Sequence, residues 1–391
     1  MREIVIAGAG LGDFTQEVAN AINDSDIVIA DSRFADKIPN GKKIIPVKNF
    51  SQLENEAGRI LILVSGDPGV FSLLTVIKNR YPDENIRVIP GISSLQAICA
   101  HACETWHNAA VLSGHGRSLF AGKFLNTVER NRVTILFCDK NISPSWACEK
   151  LACISGVDVF IGSCLGGNDE QIFSGTPENF SGKNFSELSI ILIRNNNPYL
   201  PERLFLRDKD FLREKNIVMT NESVRSVIIS RLEMCNDSLL WDIGAGSGSI
   251  SVNAGNIFPS AEIHAVDFSP SAAKLISQNA AKFHLHNITV HNSRALDVID
   301  DLPRPTHIFI GGTGGELSEI FARISAMKHP LRVVIACVTL ETLTEAYTLM
   351  RECENFEAVQ ISASSSKTLA PSLTMMKAHN PVTILSANYT V

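Results

Sequence analysis

The sequence predicts an α/β protein in two parts, a first half of two α/β lobes followed by a doubly wound domain with a mostly parallel sheet. Three observations carry this. Apolar runs of strand length alternate with helix-period stretches over most of the 391 residues. Glycine-rich turns follow several of those runs, where a βα unit reverses direction. Finally, Leu239 to Val252, LLWDIGAGSGSISV, reads as a buried parallel strand, a tight glycine turn and a helix start in succession.

Composition sets the limits. Hydrophobic content of 45%, charged content of 19% and 25 glycines describe a globular chain with room for two or three cores. No apolar run approaches the roughly 18 residues of a membrane span, and Glu3 interrupts the opening stretch, so a cytoplasmic protein without membrane partners is expected. The nine cysteines show no CxxC spacing, which argues for free thiols and against a zinc or disulfide framework. A net charge of −6 gives no general attraction to nucleic acid.

In the first half, strands are expected at residues 2–7, 26–30, 60–65 and 86–89, then at 109–112, 133–138, 157–163 and 188–193. Three loops there carry turn chemistry. GAGLG at Gly8 to Gly12 has Asp13 where a dinucleotide fingerprint wants glycine. SGDPG spans Ser65 to Gly69, and PGISS spans Pro90 to Ser94, where the serines can cap a helix or bind a ligand. On SGHGR, His115 and Arg117 admit two readings: a cation pair for carboxylates of an anionic substrate, or a solvated turn before a helix at Ser118.

Residues 195–218 break the apolar periodicity and read as a linker between domains at 1–194 and 219–391. Eight Lys or Arg against five Asp or Glu between Arg194 and Arg231 suit a solvated surface better than a binding patch. Strands then follow at 239–243, 262–266, 288–291, 307–310 and 332–337, with two late ones near 358–361 and 382–385 that lack an intervening helix. The clearest helices are 271–283 and 341–351. His284, His286 and His291 crowd one connection, but no acid or thiol stands at ligand spacing, so no metal is expected.

Spacing decides what the 244–248 turn binds. A dinucleotide needs GxGxxG, whereas Gly248 comes one residue early and Ser249 takes the third glycine's place. Hydrophobic, Asp, hydrophobic, GxGxG instead resembles the first motif of the seven-stranded S-adenosylmethionine methyltransferases. Glycines let backbone approach a ligand, and the helix amides can hold a carboxylate. Asp242 is then placed to face the ligand's ammonium group, Gly244, Ala245, Gly246, Ser247 and Gly248 to cradle it, and Asp267, ending the next strand, to meet ribose hydroxyls.

Taken in order, GAGLG, SGDPG, PGISSLQAICA, SGHGR, ISP and LGGNDEQIFSGT resemble the tetrapyrrole methylase family over residues 1 to about 194. MTNESVR, WDIGAGSGS, IGGTGGEL, CVTLET and NPV resemble the C-terminal component of the precorrin-6B methyltransferases, so the whole chain looks like a fusion of the two. That resemblance implies a two-lobed tetrapyrrole methylase fold followed by a Rossmann-like seven-stranded methyltransferase fold. It implies S-adenosylmethionine as cofactor and precorrin-6B as substrate, with methylation at ring carbons 5 and 15 and decarboxylation of the acetate on ring carbon 12. It also implies a homo-oligomer, since the family's C-terminal component tends to form tetramers.

By the same resemblance Gly66, Asp67, Pro68, Ser93 and Ser94 line a first cofactor cleft, and Thr220 and Ala295 complete the second. Gly8 to Gly12 and Gly311, Gly312, Thr313, Gly314 and Gly315 would face the macrocycle. Five positions depart from the family pattern: Asn221 and Ser223 stand for Lys and Glu, and Asn253 for Glu. Ser293 and Arg294 take the place of Gly and usually Asp. They keep open a chain in which one half is catalytically weakened. A methyltransferase of RNA or of another tetrapyrrole is the other alternative, and the net acidity speaks against RNA.

Overall fold

Runs such as RILILV at residues 59–64, buried from the second residue on, form strands because both faces of a parallel sheet are covered. The computed structural model describes residues 3–389 apart from 13, 48–53, 55 and 115–118. Packing divides the chain into two units, Met1–Leu119 with Asn131–Pro198, and Phe120–Arg130 with Tyr199–Val391.

The first unit opens with β1 (Glu3–Gly8), α1 (Gln16–Asp24), β2 (Ile27–Ala30), β3 (Lys43–Pro46), β4 (Arg59–Val64), α2 (Leu74–Arg80) and β5 (Ile86–Ile89). Its strands make a wholly parallel sheet in the order β3-β2-β4-β1-β5. Ile4, Ile6, Ile60 and Ile62 fill one face, and Val28, Leu61 and Leu63 the other. After α3 (Ser94–His101) come β6 (Ala110–Ser113), α4 (Ala121–Arg130), β7 (Val133–Phe137), α5 (Pro144–Leu151), β8 (Val157–Ser163), β9 (Gln171–Gly175) and β10 (Ser189–Asn195). The second sheet runs β6-β7-β10-β8-β9, with β10 antiparallel to both neighbours. The helix starts follow capping rules: Thr15, Ser93 and Ser143 each accept an amide hydrogen bond from the first turn.

In the second unit, α6 (Glu222–Leu232) precedes β11 (Leu239–Ile243), α7 (Ser249–Ile257), β12 (Glu262–Asp267), α8 (Pro270–Lys282), β13 (Ile288–Asn292), α9 (Ala295–Val298) and β14 (His307–Ile310). Then follow α10 (Leu317–Ala326), β15 (Leu331–Cys337), α11 (Leu340–Met350), β16 (Glu354–Ile361), β17 (Ser364–Ala370), β18 (Leu373–Ala378) and β19 (Val382–Tyr389). The seven-stranded sheet has the order β13-β12-β11-β14-β15-β19-β16; the first five are parallel, and β19 is antiparallel to both neighbours. The two late strands, which lack an intervening helix, thus pair as an antiparallel end of the sheet. Buried Trp241, Ile308, Val333 and Leu385 hold one face of the sheet and Leu240, Ile263, Phe309 and Val334 the other.

The structure departs from the expected elements in several places. β3 and β9 are short edge strands too brief to show a period. The exposed hairpin β17–β18, a two-stranded sheet of its own, interrupts what was expected to be a simple pair of late strands. Within the expected linker 195–218, Tyr199 onward packs with the second unit: Leu206 and Phe211 are buried, and Leu206 N donates to Asn253 Oδ1 at 3.0 Å. Arg225, counted above within a basic solvated surface, is fully buried because Asp208, Thr220 and Leu206 accept its hydrogen bonds. The helix α4 also goes with the second unit although its sequence neighbours do not.

No helix among the described residues is long and apolar enough to cross a membrane. The nine cysteines are free thiols.

Candidate functional site

In the second unit the strand order reverses between β11 and β14, and open α/β sheets bind ligands outside the carboxyl ends of the strands at such a point. The turn after β11 and the loop after β14 meet there. A Cβ on Gly244 would lie 2.3 Å from Gly312 O, and Gly311 N donates to Ile243 O at 2.9 Å. Gly244, Gly246 and Gly248 all have positive φ, of 71°, 57° and 75°. Only glycine takes these values freely while leaving backbone bare.

Each candidate side chain has a definite place. Asp267 accepts Gly246 N at 2.8 Å and Ser269 N at 2.9 Å, which pins the end of β12 to the turn. Asp242 is fully buried. Its Oδ2 accepts Ser251 N at 3.0 Å and the Ser251 hydroxyl, while Oδ1 has no partner among the described residues. Desolvation pushes its carboxyl up to about 6. Ser247 is also buried, and its Oγ lacks a partner among the described residues. A buried orphan hydroxyl beside a glycine cradle is what a bound polar ligand would satisfy, so these residues fit a cofactor. Ala245 N donates to Val266 O, Thr220 lends its carbonyl to Arg225, and Ala295 opens α9 half-buried.

Gly311, Gly312, Gly314 and Gly315 are exposed around half-buried Thr313, leaving an open loop. At the start of α10 beyond it, Glu345 from α11 accepts the Ser318 amide at 3.0 Å, so the protein supplies an anion there itself.

The departures from the family pattern have structural partners. Asn221 caps α6 through Ser223 N, and Asn253 receives Leu206 N. Ser293 N bonds to Asp267 O, and Arg294 forms an ion pair with Glu316. Ser251, Val218 and Glu316 went unnoticed in the sequence. Val218 O accepts Ser247 N at 3.1 Å and would sit 2.6 Å from a Cβ on Gly246. Nothing in that exposed valine marks it, since the contact uses backbone alone.

The first unit brings its three glycine loops together at the carboxyl ends of β1, β4 and β5. Gly10 N donates to Gly66 O at 3.2 Å, and a Cβ on Gly91 would lie 2.3 Å from Gly66 O and 2.8 Å from Gly8 O. Asp67 ties two loops together, Oδ1 accepting Gly69 N at 2.7 Å and Oδ2 accepting Gly91 N at 3.1 Å. Ser93 is buried and joined with Gln96 in a capping box, Ser94 is half-buried, and Gly66 and Pro68 are buried. His115 and Arg117 lie outside the described residues.

Among the described residues, no group of three or more His, Cys, Asp or Glu side chains is arranged to hold a metal. His284 and His286 instead share Glu129, and His291 faces His264.

Residues 3–180 match the family described as tetrapyrrole (corrin/porphyrin) methylases, and residues 211–388 match the precorrin methyltransferase domain. The cobalt-precorrin-6B C(15)-methyltransferase (decarboxylating) of Salmonella typhimurium is 32% identical over 184 residues, 46% of this chain and 94% of that protein. The precorrin-6Y C(5,15)-methyltransferase (decarboxylating) of a Sinorhizobium species is 29% identical over 72% of this chain and 69% of its own length. A crystal structure of precorrin-6Y C5,15-methyltransferase from Geobacter metallireducens is 33% identical, covering 48% of this chain and 97% of that one with a TM-score of 0.44. Two methyltransferase domains are therefore fused in one chain. The chain belongs to the decarboxylating precorrin methyltransferase family, as its motifs led us to expect.

Proposed function

We propose that this enzyme uses S-adenosylmethionine to methylate precorrin-6B at ring carbons 5 and 15, and removes carbon dioxide from the acetate on ring carbon 12. The domain of residues 1–194 acts at carbon 5; that of residues 219–391 acts at carbon 15 and decarboxylates. The observation that carries this is the presence of two separate glycine-loop sites of different construction, one closed by Asp67 and one by Asp267.

In the first, the loops at Gly66 to Pro68 and Ser93 to Ser94 hold the cofactor and Gly8 to Gly12 faces the ring. In the second, Thr220, Asp242, Gly244 to Gly248, Asp267 and Ala295 hold it, and the open Gly311 to Gly315 loop faces the ring. The cofactor supplies an electrophilic methyl group. The protein's part is alignment, since a reduced tetrapyrrole's bridge carbons are themselves enamine-like nucleophiles, and alignment is worth about 7–11 kcal/mol. His115 and Arg117 are proposed to meet the ring's carboxylates.

Incubation with S-adenosylmethionine and precorrin-6B, followed by product mass, tests the reading. Two methyl groups gained and one carbon dioxide lost are expected; a product unchanged in mass overturns it. We also propose a homo-oligomer. Support comes from the β17–β18 hairpin, which exposes Leu369, Leu373, Met375 and Met376, whereas isolated two-stranded sheets are marginal in water. Light scattering that finds only monomer overturns this part.

A further inference from the structure

Beside the glycine turn of the second unit lies a cavity of about 330 Å³. Ser247 forms part of its wall, so an occupant sits against the turn itself. The opposite chemistry comes from far along the chain, because His379, just past β18, lines the same cavity together with Arg213, Met219 and Asn221. Two acids also line it, Asp208 and Glu214. Asp208 is committed elsewhere: its carboxylate accepts Arg225 Nη1 at 3.0 Å and Asn221 Nδ2 at 3.3 Å. Glu214 is exposed and, when ionised, repels an incoming carboxylate.

His379 is held for use. Its backbone N donates to Ala363 O at 2.9 Å, and its ring Nε2 lies 2.8 Å from Ser365 Oγ. Ring Nδ1 has no partner among the described residues. A hydroxyl fixing one ring nitrogen leaves the other to carry a proton to or from a ligand. Arg213 has its Nε on Asp208 O at 3.2 Å and its Nη2 3.9 Å from Asp208 Oδ2, yet its guanidinium stays half-exposed, the cation a polycarboxylate ring needs at this cavity.

We propose that His379 is the catalytic proton donor of the decarboxylation, acting in this cavity, with Arg213 anchoring a carboxylate of the ring. The proposal rests on the reading of the second unit given above. The acetate's C–C bond breaks, carbon dioxide leaves, and the electron pair passes into the conjugated ring. The pair returns to form a C–H bond with the proton from His379 Nδ1, and the neutral imidazole recovers a proton from water. Carboxylate plus proton thus become carbon dioxide plus a methyl group, with no other reactant. Carbons 12 and 15 are close neighbours on the ring perimeter, so a donor next to the cofactor turn reaches one while the cofactor reaches the other.

The test uses the full chain with S-adenosylmethionine and precorrin-6B, with methyl groups gained and carbon dioxide lost read from the same mass spectra. His379→Gln is expected to lower carbon dioxide lost per methyl transferred about 10²-fold, the usual share of a general acid. Ser365→Ala, which frees the ring without removing it, should give a smaller fall in the same ratio. Arg213→Gln should raise KM for the ring while leaving the ratio alone. An unchanged ratio in His379→Gln overturns the proposal, and so does a parallel loss of both reactions, which marks a structural role. If the unaltered chain neither methylates nor decarboxylates, the functional reading fails first and the proposal falls with it.

Discussion

Glu129 receives a hydrogen bond from His284 Nδ1 at 2.6 Å, although 155 positions separate the two residues. Its other carboxylate oxygen lies 3.4 Å from His286 Nε2, and the Tyr199 ring stacks on His284 with centroids 4.3 Å apart. On the same helix, Asn126 donates to Pro259 O at 2.8 Å and accepts His286 N at 2.7 Å, and Arg130 bonds to Asn256. In this way α4 completes the second unit.

The hydrogen bond from His286, then that from His284 and the charge of both rings, hold the Glu129 carboxyl below the ordinary carboxylate range against the cost of burial. A carboxylate with a lowered folded-state pKa contributes stability above its unfolded value of about 4.3, and loses it as pH falls through the lowered value. Glu129→Gln is therefore expected to cost about 1–3 kcal/mol at neutral pH. The gap to the unaltered protein should close in acid. Thermal midpoints across that range check this, and equal midpoints at neutral pH contradict it.

The glycine contacts predict a separation of activities. Gly91→Ala places a Cβ 2.3 Å from Gly66 O, and Gly244→Ala places one 2.3 Å from Gly312 O at a φ of +71°. The left-handed conformation alone costs about 1–2 kcal/mol for a non-glycine residue, before the backbone clash is counted. Each variant should keep the methylation of the other unit, so product mass shows one methyl group where the parent adds two. Loss of both in either variant would mean that the units do not act separately.

The sequence shows its parallel strands plainly because burial on both faces demands runs of Ile, Leu and Val, as in β4 and at Val333 to Ile335 of β15. It hides β17 and β18, since every residue of both is exposed and no apolar alternation reports them. Within the sites, glycine spacing is legible because positive φ and close backbone approach admit little else. What the acids and serines do is not. Asp67 spends both oxygens on amides of two loops and Ser93 caps α3, roles fixed by groups that come near only after folding. For the same reason, no spacing rule could give His284 and His286 a partner on α4.

Asp242 offers a test of whether its buried carboxyl serves the fold or the cofactor. Desolvation raises its pKa to about 6. A raised folded-state value contributes stability that is full below the unfolded value of about 3.9 and lost as pH rises through about 6. Asp242→Asn keeps an oxygen for Ser251 and removes the buried charge. Above pH 6 the variant is expected to be at least as stable as the parent, while S-adenosylmethionine binding in the second unit weakens because the free oxygen is gone. Calorimetric titration beside thermal melts reads both. Unchanged affinity would make Asp242 a purely structural residue.

Arg294 and Glu316 join the two margins of the second site. Arg294 precedes Ala295 at the start of α9, and Glu316 closes the open glycine loop. Added Cβ atoms at Gly312, Gly314 and Gly315 would meet nothing within 4 Å, so the loop draws little order from packing. The pair is partly exposed, at 63% and 21%, and such pairs contribute about 0.2–1 kcal/mol. Its loss should hardly move the melting temperature. It should be felt where the loop must be ordered on binding: Arg294→Ala and Glu316→Ala are each expected to raise KM for the macrocycle about two- to fivefold, most at low salt. Exchanging the two residues in a double variant should recover part of that loss. Single variants with unaltered KM, or a double variant worse than the sum of both, would show that the ion pair does not position the loop.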